Sequence, residues 1–93
     1  MADIFHALDD ETRRTILDEL VLRNGQTLFE ICAVLTGRHG VSTSRQGISQ
    51  HLRVLEEAGL IGIERQGRSK LHFLTPDPLR QIARRWPTPG EQP

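Results

Sequence analysis

The chain of 93 residues contains one cysteine, Cys32. A lone thiol excludes an intramolecular disulfide and a multi-cysteine zinc cage, leaves no partner for dithiol chemistry within one chain, and favours a reducing, cytoplasmic setting. Long apolar runs are also missing: nothing approaches the ~20 residues needed to cross a bilayer. Met1 to His6 lacks the basic flank of a signal peptide. The expectation is a soluble, unexported protein with no membrane partner. An excess of positive charge is absent too, because the formal net charge is +0, and phosphate attraction usually supplies much of a nucleic-acid binder's affinity.

The distribution of charge along the chain points the other way. Residues 1–37 hold three bases (Arg13, Arg14, Arg23) against seven acids and are net −4. Residues 38–75 hold six bases (Arg38, Arg45, Arg53, Arg65, Arg68, Lys70) against three acids and are net +3, and the remainder is net +1. The basic half is the candidate face for nucleic acid. A chain this short has room for one domain and buries only ~60% of its unfolded surface, so a partner subunit would help stabilise it.

Ile4, Phe5 and Leu8 suggest a short amphipathic opening helix. Asp10 and Glu11 put negative charge where a helix N-terminus favours it, and Ile16, Leu17, Leu20 and Val21 recur at helical spacing. A helix is expected from about Glu11 to Leu22, closing at Asn24-Gly25. Thr27 and Glu30 match a capping box for a further helix that carries Leu28, Ile31, Cys32 and Leu35 inward and stops at Thr36-Gly37. Gly37 to Ser44 reads as a polar turn. Ser44 then caps a helix in which Ile48, Leu52 and Leu55 define one buried stripe, ending near Ala58-Gly59.

Leu60 to Ile63 and Leu71 to Leu74 are β-prone runs around Arg65-Gln66-Gly67-Arg68-Ser69, a hairpin with a basic tip. Pro78 suits the first turn of a last helix striped by Leu79, Ile82, Ala83 and Trp86. Residues 87–93 read as a disordered tail, leaving residues 1–86 as the domain. The fold class is mainly α with a small β-hairpin, in the order helix, helix, helix, helix, hairpin, helix: a winged helix-turn-helix.

With Ile48, Leu52 and Leu55 inward, Arg45, Gln46, Ser49, Gln50 and Arg53 face out. Arg donates two hydrogen bonds to the major-groove edge of guanine and Gln pairs with adenine. Ser49 and Arg53 suit phosphates, and Arg65, Arg68 and Lys70 on the hairpin suit flanking phosphates or a narrow minor groove. Ordinary solvated charge is the competing explanation for these side chains. The candidate contacts to double-stranded DNA are Ser44, Arg45, Gln46, Ser49, Gln50, His51, Arg53, Arg65, Arg68 and Lys70. For His51, orienting the helix or touching a phosphate competes with plain packing.

Phe5-His6-Ala7-Leu8 with Asp10-Glu11-Thr12-Arg13-Arg14 and Ile16-Leu17 resembles the opening signature of ArsR-type repressors. The run from Ile48 to Ile61 resembles that family's recognition helix and its exit, and Gly67 to His72 resembles its wing. The resemblance covers residues 4 to 86. It implies a homodimer whose first and last helices pack together, with Ile4, Phe5, Leu8, Leu79, Ile82, Ala83 and Trp86 at the interface. It also implies two recognition helices in successive major grooves of a near-palindromic operator.

Two departures stand out: Glu11 replaces a usual proline, and the turn from Gly37 to Ser44 looks long. The paired cysteines and the Asp and His pairs of the family's metal-responsive members are missing. Cys32 reads as a small buried apolar residue, and His6, His39, His51 and His72 are scattered without ligand spacing. No metal or cofactor is therefore expected from the sequence, and it leaves open whether a small-molecule or metal effector relieves repression. An enzyme is not expected either, since no phosphate loop or nucleophile-base motif occurs. The remaining rival is a winged-helix module for protein interaction.

Overall fold

Short side chains start the first four helices of the computed structural model, which describes residues 3–90. Asp3 accepts from the Phe5 N–H ahead of α1 (Ile4–Leu8), and Asp10 accepts from the Arg13 N–H at 3.0 Å ahead of α2 (Glu11–Leu22). Thr27 and Glu30 exchange both bonds of a capping box ahead of α3 (Leu28–His39). Ser44 accepts from the Gly47 N–H at 3.1 Å ahead of α4 (Arg45–Glu57). Each cap satisfies an N–H that has no intrahelical acceptor. A last helix, α5 (Asp77–Arg85), has no side-chain cap and carries Pro78 in its first turn.

Between α4 and α5, β1 (Ile61–Gln66) pairs antiparallel with β2 (Ser69–Leu74), and Gly67 turns the chain at φ +62°. Gln26 and His72 exchange backbone hydrogen bonds of 3.2 and 2.8 Å, so the α2–α3 link lies against the hairpin as a short third edge. Gly25 makes this approach possible. It sits at φ +75°, donates to the His72 carbonyl at 3.0 Å, and a Cβ there would lie 2.8 Å from the Phe73 ring.

The core is built by Ile16, Leu17 and Leu20 of α2, Ile31 and Leu35 of α3, and Ile48, Leu52 and Leu55 of α4. Ala7, Leu60 and Ile61 close it. Burying each large side chain contributes about 1.5–3 kcal/mol. With α2 against α3, α4 and β2, and α4 against α3 and β1, the outer surfaces of α4 and the hairpin are left free.

The structure departs from the sequence-based expectations at three places. First, α3 does not stop at Thr36-Gly37 but continues to His39, and Gly40 ends it at φ +64°. Glycine inside a helix costs roughly 1 kcal/mol relative to alanine. Here the next two residues, Arg38 and His39, are held by Glu19 of α2, which offsets that cost. The connection to α4 is therefore five residues, Gly40 to Ser44, and the apparent extra length of the turn is helix.

Second, Val21 is 69% exposed rather than inward, because Glu19 is buried and rotates the buried arc of α2 away from Val21. Third, Leu28 and Cys32 are only half-buried, while Ile31 and Leu35 carry the core face of α3. Of the expected C-terminal tail, residues 91–93 lie outside the described residues, as do residues 1 and 2.

Candidate nucleic-acid interface

The spacing of α4 sorts its outward side chains into two rows. Ile48, Leu52 and Leu55 bury one face. Arg45, Ser49, Arg53 and Glu56 then form a row facing the hairpin, because residues three and four apart share a helix face. Gln46 and Gln50, one turn apart, form a second row that points clear of the domain and is exposed.

Between the first row and the hairpin runs an open groove of about 540 Å3. Its walls include Arg45, Ser49, Arg53 and Glu56 from α4, and Ile63, Arg68, Ser69, Lys70 and His72 from the hairpin. Thr27, Leu28 and Phe29 at the start of α3 close one side. The capping box satisfies the N–H groups of Thr27 and Glu30. It leaves those of Leu28 and Phe29, in the first turn, to contribute the positive end of the helix dipole.

The register places Arg65 directly opposite Lys70 and Ile63 opposite His72, so all four share one face of the hairpin. Like charges directly opposite each other repel. Among the described residues, none of Arg45, Arg53, Arg65, Arg68 and Lys70 forms an ion pair, whereas Arg13, Arg23, Arg38 and Arg80 each do.

Of the ten candidate contacts, the groove gathers Arg45, Ser49, Arg53, Arg68 and Lys70. Gln46 and Gln50 lie on the adjoining outer row, Ser44 is the exposed helix cap, and Arg65 is exposed beside the groove. His51 differs from the rest: its ring turns toward α2, with Nδ1 3.1 Å from Arg13 Nη1. The groove residues that were not among the candidate contacts are Thr27, Leu28, Phe29, Leu52, Glu56, Ile63, Ser69 and His72. The Thr27–Glu30 capping box was legible, but not its place beside the hairpin. Phe29 alone carried a signal, as a large apolar residue off the inward stripe of α3.

Cys32 stands half-buried on α3, and burial pushes its thiol above the usual range, with Arg45 opposing. A less ionised thiol is a poorer nucleophile and metal ligand. Among the described residues, no three His, Cys, Asp or Glu side chains are grouped as metal ligands. No helix there is long and apolar enough to cross a membrane.

A three-helix core, a helix-turn-helix formed by α3 and α4, and a basic two-stranded hairpin define a winged helix-turn-helix protein. Known proteins agree. The helix-turn-helix domain family matches residues 8–63. An uncharacterised HTH-type transcriptional regulator of Bacillus subtilis (strain 168), YuzN, is 43% identical over 83 residues, covering 89% of this chain and 90% of its own length.

Among solved structures, a possible transcriptional regulator for arsenical resistance superposes with a TM-score of 0.74 at 32% identity, over 92% of this chain and 82% of that one. An ArsR-like transcriptional regulator from Rhodococcus sp. RHA1 superposes with a TM-score of 0.74 at 33% identity, over 88% and 69%. The chain belongs to the ArsR-type winged helix-turn-helix transcriptional regulators, and its helix-turn-helix is a DNA-binding domain.

Proposed function

We propose that this regulator is a homodimeric, cytoplasmic repressor that reads a near-palindromic operator in double-stranded DNA. In this reading α4 enters the major groove with Arg45, Gln46, Gln50 and Arg53 toward the bases and phosphates, and the wing at residues 61–74 holds the flanking backbone. The observation that carries it is the set of five cations on α4 and the hairpin that have no carboxylate partner among the described residues. Arg and Lys left unpaired around a groove are suited to a polyanion, and phosphate contacts supply most of the non-specific affinity.

The dimer reading is supported by apolar surface on α1 and α5. Phe5 is 48% and Trp86 60% exposed, with ring centroids 6.5 Å apart, and α5 buries none of its residues. Ile4, Leu8, Leu79 and Ile82 beside them are half-buried, and Ala83 is exposed. A two-fold axis through this surface would bury it and present two copies of α4 to half-sites about one helical turn, ~34 Å, apart.

Selection of bound fragments from a random duplex pool, followed by a salt titration of the winner against scrambled DNA, tests the reading. The expected result is a near-palindromic site whose affinity falls steeply with salt. No enrichment at low salt would refute it and favour the protein-interaction module.

A further inference from the structure

The buried guanidinium of Arg13, on α2, meets two other helices, α1 and α4, at once. Arg13 is 7% exposed, in a position where an unpaired charge is costly, so its donors must find acceptors. Nε donates to the Ala7 carbonyl at 2.8 Å and Nη2 to the His6 carbonyl at 3.0 Å. Those are carbonyls of the last turn of α1, where a cation complements the helix dipole. Nη1 lies 3.1 Å from Nδ1 of His51 on α4.

The direction of that last bond follows from chemistry. Guanidinium nitrogens only donate and remain charged in proteins, so His51 Nδ1 must accept. The ring proton then resides on Nε2, the nitrogen away from Arg13. Asp10 offers Nδ1 no competing bond, since its Oδ1 is 4.0 Å away and its Oδ2 is 3.9 Å from Arg13 Nη1. Asp10 remains charged beside them: although burial opposes ionisation, the hydrogen bond from the Arg13 N–H and the charge of the Arg13 guanidinium hold its carboxyl below the usual range.

We propose that Arg13 is a positioning residue for DNA reading, which fixes α4 against the end of α1 by donating to His51 Nδ1 and to the His6 and Ala7 carbonyls. His51 acts through this bond and not through a phosphate. The orientation of the reading helix is thereby tied to α1, so a displacement of α1 is transmitted to α4 through one side chain. This role rests on the DNA reading proposed above.

Nitrogen NMR of the His51 ring in the unaltered chain, without DNA, is the first test. A single tautomer protonated at Nε2 is expected, and an Nδ1-protonated ring or an equal mixture would overturn the proposal. Two substitutions then separate the ring nitrogens. The Asn amide oxygen falls where Nδ1 stands, and the Gln amide nitrogen falls where Nε2 stands. His51→Asn is expected to bind the selected duplex at least about tenfold more tightly than His51→Gln. The reverse order would mean that Nε2 holds a phosphate, and equal affinities would mean that neither nitrogen matters; either result overturns the proposal.

Arg13→Lys supplies a point donor in place of the fork and cannot serve all three acceptors. It is expected to narrow the gap between selected and scrambled DNA while leaving the salt slope unchanged. A shallower slope would make Arg13 a phosphate contact instead. If the unaltered chain selects no duplex, the DNA reading fails and this role with it. If it selects one and His51 carries its proton on Nδ1, this inference alone fails.

Discussion

Glu19 and Arg53 are single charges on neighbouring helices, and the fold treats them in opposite ways. Glu19 is buried on α2, its carboxylate 2.7 Å from His39 Nε2 and 3.1 Å from Arg38 Nη1 through each oxygen. Arg53 is exposed on α4 and pairs with nothing among the described residues. The contrast extends across the molecule. In the acidic half Asp10, Glu19 and Glu30 are held below their ordinary range by groups of the protein itself. In the basic half Arg45, Arg65, Arg68 and Lys70 share the fate of Arg53. Paired charge in the first half, joined by Arg38, builds the domain, whereas the other five cations of the second half are directed outward. Net charge hides this division, because the −4 of residues 1–37 is cancelled by the +3 of residues 38–75 and the +1 of the remainder.

The largest expected effect lies on the inward side. Breaking a buried ion pair typically costs 3–5 kcal/mol. Arg38 is 60% exposed in its side chain and can return to water, so Glu19→Ala should cost about 2 kcal/mol in urea unfolding. It should leave the salt slope of DNA binding untouched; a changed slope would erase the division between the halves. The same group sets an acid limit. The hydrogen bond from His39, helped by the charge of Arg38 and opposed by burial, lowers the carboxyl from its ordinary 4.5. Glu19 therefore binds its proton more weakly in the folded chain than in the unfolded one. Its contribution to stability is complete above pH 4.5 and is lost as pH falls through the lower folded value. Melting curves across that window should be less acid-sensitive in Glu19→Ala, with Asp10 and Glu30 supplying the remainder.

On the outward side, replacing Arg68 and Lys70 together with Ala should weaken binding to every duplex about tenfold or more at physiological salt. It should also reduce the log–log salt slope by about two. Melting temperature should not fall. Unchanged affinity would remove the wing from the interface.

Gln50→Ala should act more narrowly, relaxing preference at one operator position by about 1 kcal/mol while scrambled DNA binds as before. Equal losses on both would refute base reading by Gln50. The smallest effect is the most direct comparison of the two halves. Lys70→Gln removes the like charge opposite Arg65 and should raise stability by roughly 0.3 kcal/mol while weakening DNA binding. Lower stability would mean that Lys70, like Glu19, serves the fold.

What the sequence by itself determined is what acts over three or four residues. Asp10 with Arg13, Thr27 with Glu30 and Ser44 with Gly47 cap helices through bonds three residues apart, and their starts were legible for that reason. The stripe of Ile48, Leu52 and Leu55 was legible because helical period alone puts these residues on one face, which in turn exposes Gln46, Gln50 and Arg53.

The tertiary structure decided what closes over long stretches of chain. Arg13 and His51 are 38 residues apart, and Gln26 and His72 are 46 apart. No local spacing encodes such pairs, because each forms only after α1, α2, α4 and the hairpin have packed. The end of α3 belongs to the same class. Gly37 favours a stop by its own propensity, and the helix passes through it because Glu19, on another helix, binds the two residues beyond.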